Sequence, residues 1–504
     1  MRTESPVRVT LNRQQWVCLL IFVILLGSYT YFFPRWADWT PNSRMDLTMA
    51  IVDQGTLRID DYYQNTGDYA FFEGHYYSDK APGPALLGVP FYWLFKQLGF
   101  RMLTERVAKS LQGNPAVAAT LQEGGLDITP DRLYFAGALY FVTFCTVAVP
   151  SAAMGVILYL LLKRFSISSE SGVLAVLTYG LLTSAFPYSG GFFSHQQVAA
   201  LLIAAFYLCH RLRYEEFKPS IAFVIGLMLG WAVISEYPAA LIAAALITYS
   251  FLTWPRRRRI GWPILGGLIP GAVLTAYNTA IYHTPLAIGY SYSSLYVEQH
   301  HAGFMSLTFP RPAVLWGVTF SSYRGLFFLS PILLLAIWGF VLLAKQRSYR
   351  AEFWVCLWAV GSFLLFNGSS IMWQGGFAVG PRYLLPMLPF LVVPLGVYLD
   401  QTAWTLGKKL LVAVFALWSL FAVWVESIGG QSFPDWTQNP LFRYSLPKLL
   451  AGDVARNLGT VLRLSGWASL VPLALFLVVT GAMLLLVMYH TDLIPSRRGD
   501  ADAY

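Results

Sequence analysis

A chain of 504 residues that is 56% hydrophobic and only 12% charged is too apolar for a soluble globular protein, in which about a quarter of residues carry charge. Its net charge of +9 would suggest nucleic acid if the basic residues shared a polar surface, but they flank apolar runs, the positive-inside pattern of a membrane protein. The four cysteines, Cys18, Cys145, Cys209 and Cys356, all fall inside apolar runs, so neither a disulfide framework nor a metal-ligand spacing is present.

Taken in order, hydropathy predicts about twelve spans. They are Trp16–Phe33, Leu133–Leu162, Val173–Tyr188, Val198–Cys209, Ile221–Ile234, Ala239–Trp254, Ile264–Ile281, Leu326–Leu343, Phe353–Phe366, Leu384–Leu399, Leu410–Val425 and Leu470–Met488. The first is too long for a signal-peptide core and lacks a small-residue cleavage site, so it is expected to be retained. Between the first two lies the longest polar stretch of the first half, Asn42–Trp93. It opens on an amphipathic helix expected over Ser43–Gln54, capped by Ser43 and ended by Gly55. Asp46 and Asp53, seven residues apart, share a face of that helix. Asp60 and Asp61 follow as neighbours on a turn and point different ways.

The apolar piece Pro84–Phe95 is too short to cross a hydrocarbon core of about 30 Å. Leaving it inside one long loop puts the basic clusters Lys163/Arg164, Arg211/Arg213, Arg256–Arg259, Lys345/Arg347/Arg350, Lys408/Lys409 and Arg497/Arg498 on the N-terminal side of the membrane. The expected architecture is therefore an all-α polytopic membrane protein, one integral domain over residues 1–504. Both termini are cytoplasmic, a first outer loop over 34–132 carries the candidate site, and further outer loops cover 282–325 and 426–467. The inner loops are short, with no P-loop or dinucleotide fingerprint, which argues against nucleotide-driven chemistry on that side.

The first loop resembles that of the GT-C glycosyltransferases that take sugar from a polyprenyl-phosphate carrier, such as the protein O-mannosyltransferases and the aminoarabinose transferase of lipid A. Asp46, Ala50 and the Gly55 turn match the family's acidic opening, although Leu47 stands where the family has a second acidic residue. Phe72, Gly74, Tyr77, Lys80 and Pro82 match F-x-G-x-x-Y-x-x-K-P-P, with Ala81 inserted. The resemblance covers about fifty residues. It implies a bundle with juxtamembrane helices in the first loop, an inverting sugar transfer at the outer face of a bacterial inner membrane, Asp46 as catalytic base and Lys80 on the donor phosphate.

Other residues can be assigned by position and chemistry. Arg324 (S-S-Y-R-G) and Arg382 (G-P-R-Y) stand at outer mouths of spans, against the positive-inside trend, and are expected on the phosphate, where the alternative is headgroup anchoring. Asp53, Tyr77, Asp79, His195, Gln196, Glu236 and Trp373 are the candidate sugar or acceptor contacts. A carboxylate such as Glu236 at a span tip calls for a partner. Asp60 with Asp61, and His283 with Glu298, His300 and His301, fit no standard metal motif, so no metal site is assigned, and a divalent ion stays open as a requirement.

The reading that follows is a transferase moving sugar from a polyprenyl-phosphate donor to a hydroxyl or phosphate of an outer-face lipid, glycan or protein acceptor, with membrane lipid as its surroundings. The alternative is a transporter or flippase of a lipid-linked sugar, against which stands the near absence of charge within the spans. A glycan polymerase or ligase would carry its dominant loop late in the chain rather than first.

Overall fold

The computed structural model describes residues 11–34, 38–121, 127–295, 297–303 and 306–489. Arg2, Arg8, Arg497 and Arg498 lie outside the described residues. Helices dominate, and the one sheet among the described residues is a two-stranded hairpin.

Helix α1 (Arg13–Thr30) begins at a capping box, in which Asn12 accepts from the Gln15 N–H at 2.9 Å. Helix α2 (Trp39–Gln54) starts at Trp39, not at Ser43. Pro41 sits in the first turn, where no N–H is needed, so the helix reaches further back than a Ser43 cap would allow. Ser43 is buried inside the helix, and its hydroxyl meets Ser78 Oγ at 2.8 Å. The other end is as expected: Gly55 is left-handed, with φ 66°, and its N–H closes on the last carbonyls of α2. Strands β1 (Tyr69–Phe72) and β2 (His75–Ser78) form the hairpin, and α3 (Gly83–Gln97) and α4 (Phe100–Gln112) follow.

The bundle continues with α5 (Pro130–Arg164), α6 (Ser169–Leu181), α7 (Ser194–Tyr214), α8 (Pro219–Ser235), α9 (Ala240–Thr253) and α10 (Gly261–Tyr282). It is completed by α11 (Leu335–Lys345), α12 (Arg350–Ser369), α13 (Leu388–Gln401), α14 (Leu406–Ile428) and α15 (Val471–Tyr489). Seven helices among the described residues are long and apolar enough to cross a membrane: Arg13–Thr30, Pro130–Arg164, Arg257–Tyr282, Arg347–Ser369, Arg382–Gln401, Leu406–Ile428 and Gly466–Tyr489. Three shorter apolar helices, Pro219–Ser235, Tyr237–Thr253 and Pro331–Lys345, cover further expected spans.

Two expected spans are interrupted. The run Val173–Tyr188 breaks after Leu181, where Thr183 turns its hydroxyl onto the Tyr179 carbonyl and also accepts from the Ala185 N–H. The run Leu326–Leu343 breaks at Ser330, because Pro331 disfavours helical geometry in the residue before it.

Helices approach closely where glycine removes a side chain. A Cβ on Gly226 would stand 1.8 Å from the Pro263 carbonyl oxygen, and one on Gly266 would stand 2.0 Å from that of Phe223, so α8 and α10 touch backbone to backbone. Gly339 of α11 meets the Pro394 carbonyl of α13 in the same way. The first and last helices pack side by side: Gly27 faces Phe476, and Tyr31 donates to the Ser469 carbonyl.

At one end of the bundle, Glu352 of α12 takes Arg213 and the Tyr249 hydroxyl, each at 2.6 Å, which ties α7, α9 and α12 together. Residues 38–93 cap the other end. There Arg44 of α2 reaches Ser194 at the start of α7, and Gly83 of α3 lies against Ser235 at the end of α8.

Candidate functional site

The charged residues at that capped end converge because three local structures point inward together. The first is α2. Thr40 and Arg44 are four residues apart and share a face. The Thr40 hydroxyl donates to Asp68 at 2.7 Å, and Arg44 donates to Ser194 Oγ at 2.8 Å and to the Phe192 carbonyl at 3.3 Å.

The second is the hairpin. Asp68 precedes β1 and Asp79 follows β2, so antiparallel pairing brings the two carboxylates to the same end. Lys80 lies between them, its Nζ 3.0 Å from Asp68 Oδ2 and 3.1 Å from Asp79 Oδ1. Both carboxylates are buried, and their charges outweigh the cost of burying the ammonium and push the Lys80 pKa up. The two then separate. Burial and the neighbouring Asp68 charge push Asp79 up, only partly offset by Lys80. Burial would raise Asp68 as well, but Lys80, the Thr40 hydroxyl and Arg382 more than offset it and hold Asp68 below the usual carboxylate range.

The third is the set of helix ends beneath. Glu236, at the α8–α9 corner, accepts from Ser194 Oγ at 2.5 Å and pairs with His195 Nδ1 at 2.6 Å. Burial opposes its charge, yet His195 and Arg44 hold it well below the ordinary glutamate value. The ionised carboxylate only accepts, which puts the imidazole proton on Nδ1 and leaves Nε2 facing away from Glu236. The partner expected for Glu236 is thus present. Tyr290 and Ser293 close the cluster from above: the Tyr290 ring lies 5.6 Å from Lys80 Nζ, and Ser293 donates to Asp79 at 3.0 Å.

Arg382 completes the group. It is held between Phe193, at 5.6 Å, and Tyr383, at 5.3 Å. Among the described residues no carboxylate lies within ion-pair distance of it, and its Nε has no partner. Its charge is felt by Asp68, Arg44 and His195. An apolar cleft of about 50 Å³ runs alongside Phe193 and is walled by Phe32, Phe33, Phe186 and Phe433.

The expected base is elsewhere. Asp46 is two residues beyond Arg44, which on a helix is about 200° round the axis. It is fully buried, one oxygen accepts from Asn65 at 2.9 Å and the other has no partner. Burial pushes its carboxyl well above the usual range, offset only in part by Asn65, and no cation contributes to it. Helical geometry therefore sets Asp46 on another side of α2 from Arg44, with Asn65 as its side-chain partner.

Arg324 is likewise occupied, because its guanidinium donates to the carbonyls of Tyr323, Gln374, Gly376 and Asp435 at 3.0 to 3.3 Å. Its guanidinium thus pins three chain segments together. Asp53 joins α2 to α3 through Tyr92 at 2.8 Å and Lys96 at 2.7 Å. Tyr77 belongs to an apolar cluster with Leu47 and Ala50. Gln196 is used internally, by the Tyr179 hydroxyl and the Ala185 carbonyl, both at 2.7 Å. Trp373 packs on Gly317 and Tyr323. Asp60 and Asp61 do diverge, to His75 and Gln54. Among the described residues no group of three or more His, Cys, Asp or Glu is arranged to hold a metal ion.

Of the expected site residues, Lys80, Asp79, His195, Glu236 and Arg382 therefore meet, whereas Asp46, Asp53, Tyr77, Gln196, Arg324 and Trp373 do not join them. Arg44, Asp68, Ser194, Tyr290 and Ser293 join unforeseen. Arg44 had a visible signal, a basic residue two positions before Asp46 in an outer loop, against the positive-inside trend. No family model and no curated protein matches this chain.

Proposed function

We propose that the chain is an inverting glycosyltransferase of the polyprenyl-phosphate-dependent kind, with about twelve spans, cytoplasmic termini and the charged cluster at the outer face of a bacterial inner membrane. The observation that carries the reading is Arg382, a half-buried guanidinium that forms no ion pair among the described residues, set among paired charges. Its Nε has no hydrogen-bond partner, so the guanidinium keeps a donor for an anionic ligand. A phosphate on a lipid carrier meets this need at a membrane surface, and the aromatic cleft beside Phe193 suits the first isoprene units.

The chemistry follows from the separated carboxylates. Asp68, the one held ionised, takes the proton of the acceptor hydroxyl as its oxygen bonds to the anomeric carbon. The bond from that carbon to the phosphate oxygen breaks, and the departing phosphate gains charge beside Arg382 and Lys80. One displacement inverts the configuration. Asp79 keeps Lys80 oriented, and the Glu236–His195–Arg44 group fixes the floor. The test is transfer of radiolabelled sugar from undecaprenyl-phosphate donors by purified protein in nanodiscs, with Arg382→Gln alongside. Loss of transfer in the variant supports the reading. Equal translocation of donor by both proteins, with no transfer by either, refutes it in favour of a flippase.

A further inference from the structure

A second anion-directed surface lies away from the cluster, on α4. Over Lys96–Gln112 the chain carries four cations and one carboxylate, in a loop where the proposed topology predicts few cations. Two are spent: Lys96 pairs with Asp53 at 2.7 Å, and Arg101 pairs with Asp131 at 3.6 Å. Arg106 and Lys109 form no ion pair among the described residues and are exposed.

Beside them stand large apolar side chains that nothing covers. Met102 is 83% exposed, Leu98 57% and Leu103 50%, and the apolar strip continues onto α3 through Trp93 and Leu94. Leu98, Phe100, Met102, Leu103 and Arg106 together line a concavity of about 310 Å³. The opposite face of α4 is buried through Thr104 and Ala108, and Arg101 lies over Tyr134 of α5 at 5.8 Å. Tyr140, further along α5, donates to the last carbonyl of α1, so Tyr134, earlier on α5, lies outward of the end of that span, near the headgroups.

We infer that the Arg106–Lys109 face of α4 binds an anionic phospholipid of the outer leaflet, with the phosphate at the two cations and an acyl chain in the Leu98–Met102–Leu103 concavity. Apolar side chains interleaved with unpaired cations at this depth match that ligand at both ends. The surface also bears on the charged cluster. Helix α3 connects Lys80 to α4, and its first residue, Gly83, is wedged so tightly that a Cβ would come 2.3 Å from Ser235 Oγ, next to Glu236. A lipid that fixes α4 thereby fixes the chain segment bearing Lys80. The topology rests on the proposed function, but lipid binding does not require that any sugar be transferred.

The test is native mass spectrometry of the full chain with phosphatidylglycerol and phosphatidylcholine supplied in equal amounts. Wild type is expected to retain phosphatidylglycerol preferentially. The double variant Arg106→Gln/Lys109→Gln should lose that preference roughly 25-fold, about fivefold for each cation removed at an anionic surface. A control with Arg257→Gln/Arg259→Gln at the far end of the bundle should keep it. Equal retention of both lipids by wild type overturns the inference, as does loss of preference only in the control. So does a dimer that the α4 variant dissociates, which would assign the face to a second copy. Arg106, Lys109 and Arg257 are exposed and Arg259 is half-buried over the Phe217 ring, and an unchanged melting temperature excludes misfolding.

Discussion

Two conservative substitutions twenty-two residues apart separate the site described here from the one that sequence resemblance suggests. Asp68→Asn removes a carboxylate held ionised by Lys80 at 3.0 Å while keeping an oxygen able to accept from Lys80 and Thr40. Lys80 retains Asp79 at 3.1 Å, so the hairpin end persists. The loss should fall on kcat, by about 10²- to 10⁴-fold, the span for removing a positioned general base. Asp46→Asn should leave transfer within about threefold, because burial disfavours the charge of this carboxyl and the amide keeps an oxygen that accepts from Asn65.

Stability makes the contrast sharper. The folded value of Asp46 lies above the unfolded one, so the stability of the neutral carboxyl is complete below the ordinary carboxylate value. It is lost as pH climbs through the folded value. Asp46→Asn has no proton to lose, and its melting temperature should rise relative to wild type as pH climbs above the ordinary carboxylate value of about 4. Radiolabelled donor turnover in nanodiscs and melting curves across that range measure both effects. Transfer abolished by Asp46→Asn and untouched by Asp68→Asn would refute the assignment of the base.

Three further outcomes are expected. Arg382→Gln should weaken undecaprenyl phosphate binding by about 10- to 100-fold, the worth of one charge-assisted hydrogen bond, with the ligand-free protein still folded, as read by titration and melting. Arg324→Ala should do the reverse, costing several kcal/mol by stranding carbonyls of about 1–3 kcal/mol each, with undecaprenyl phosphate affinity unchanged in the folded fraction. Gly266→Ala forces α8 and α10 apart against a carbonyl 2.0 Å away and should lower the melting temperature more than Gly271→Ala, where a Cβ meets nothing within 4 Å.

What could be read from the sequence was what rests on local rules. Gly55 ends α2 because only a left-handed residue closes that helix, and seven long apolar helices follow from runs of hydropathy. The resemblance of the first loop marked Lys80, and the cost of a bare carboxylate at a span tip foretold a partner for Glu236. What could not be read depends on azimuth and distant pairing. Where α2 starts decides nothing about its phase, but the phase decides that Arg44 and Asp46 face opposite ways, and only the hairpin register brings Asp68 to Asp79. Arg324 misled because a side chain at a span mouth can serve backbone carbonyls as readily as a headgroup, and those carbonyls come from segments far along the chain.

The meeting of α1 with α15 has a consequence for biogenesis. During synthesis the first helix to enter the bilayer must wait, with the flank around Gly27 bare to lipid or to a chaperone, until the last helix delivers Phe476 and Ser469. A chain cut before Gly466 therefore lacks both partners, and the flank of α1 around Gly27 and Tyr31 stays uncovered by them.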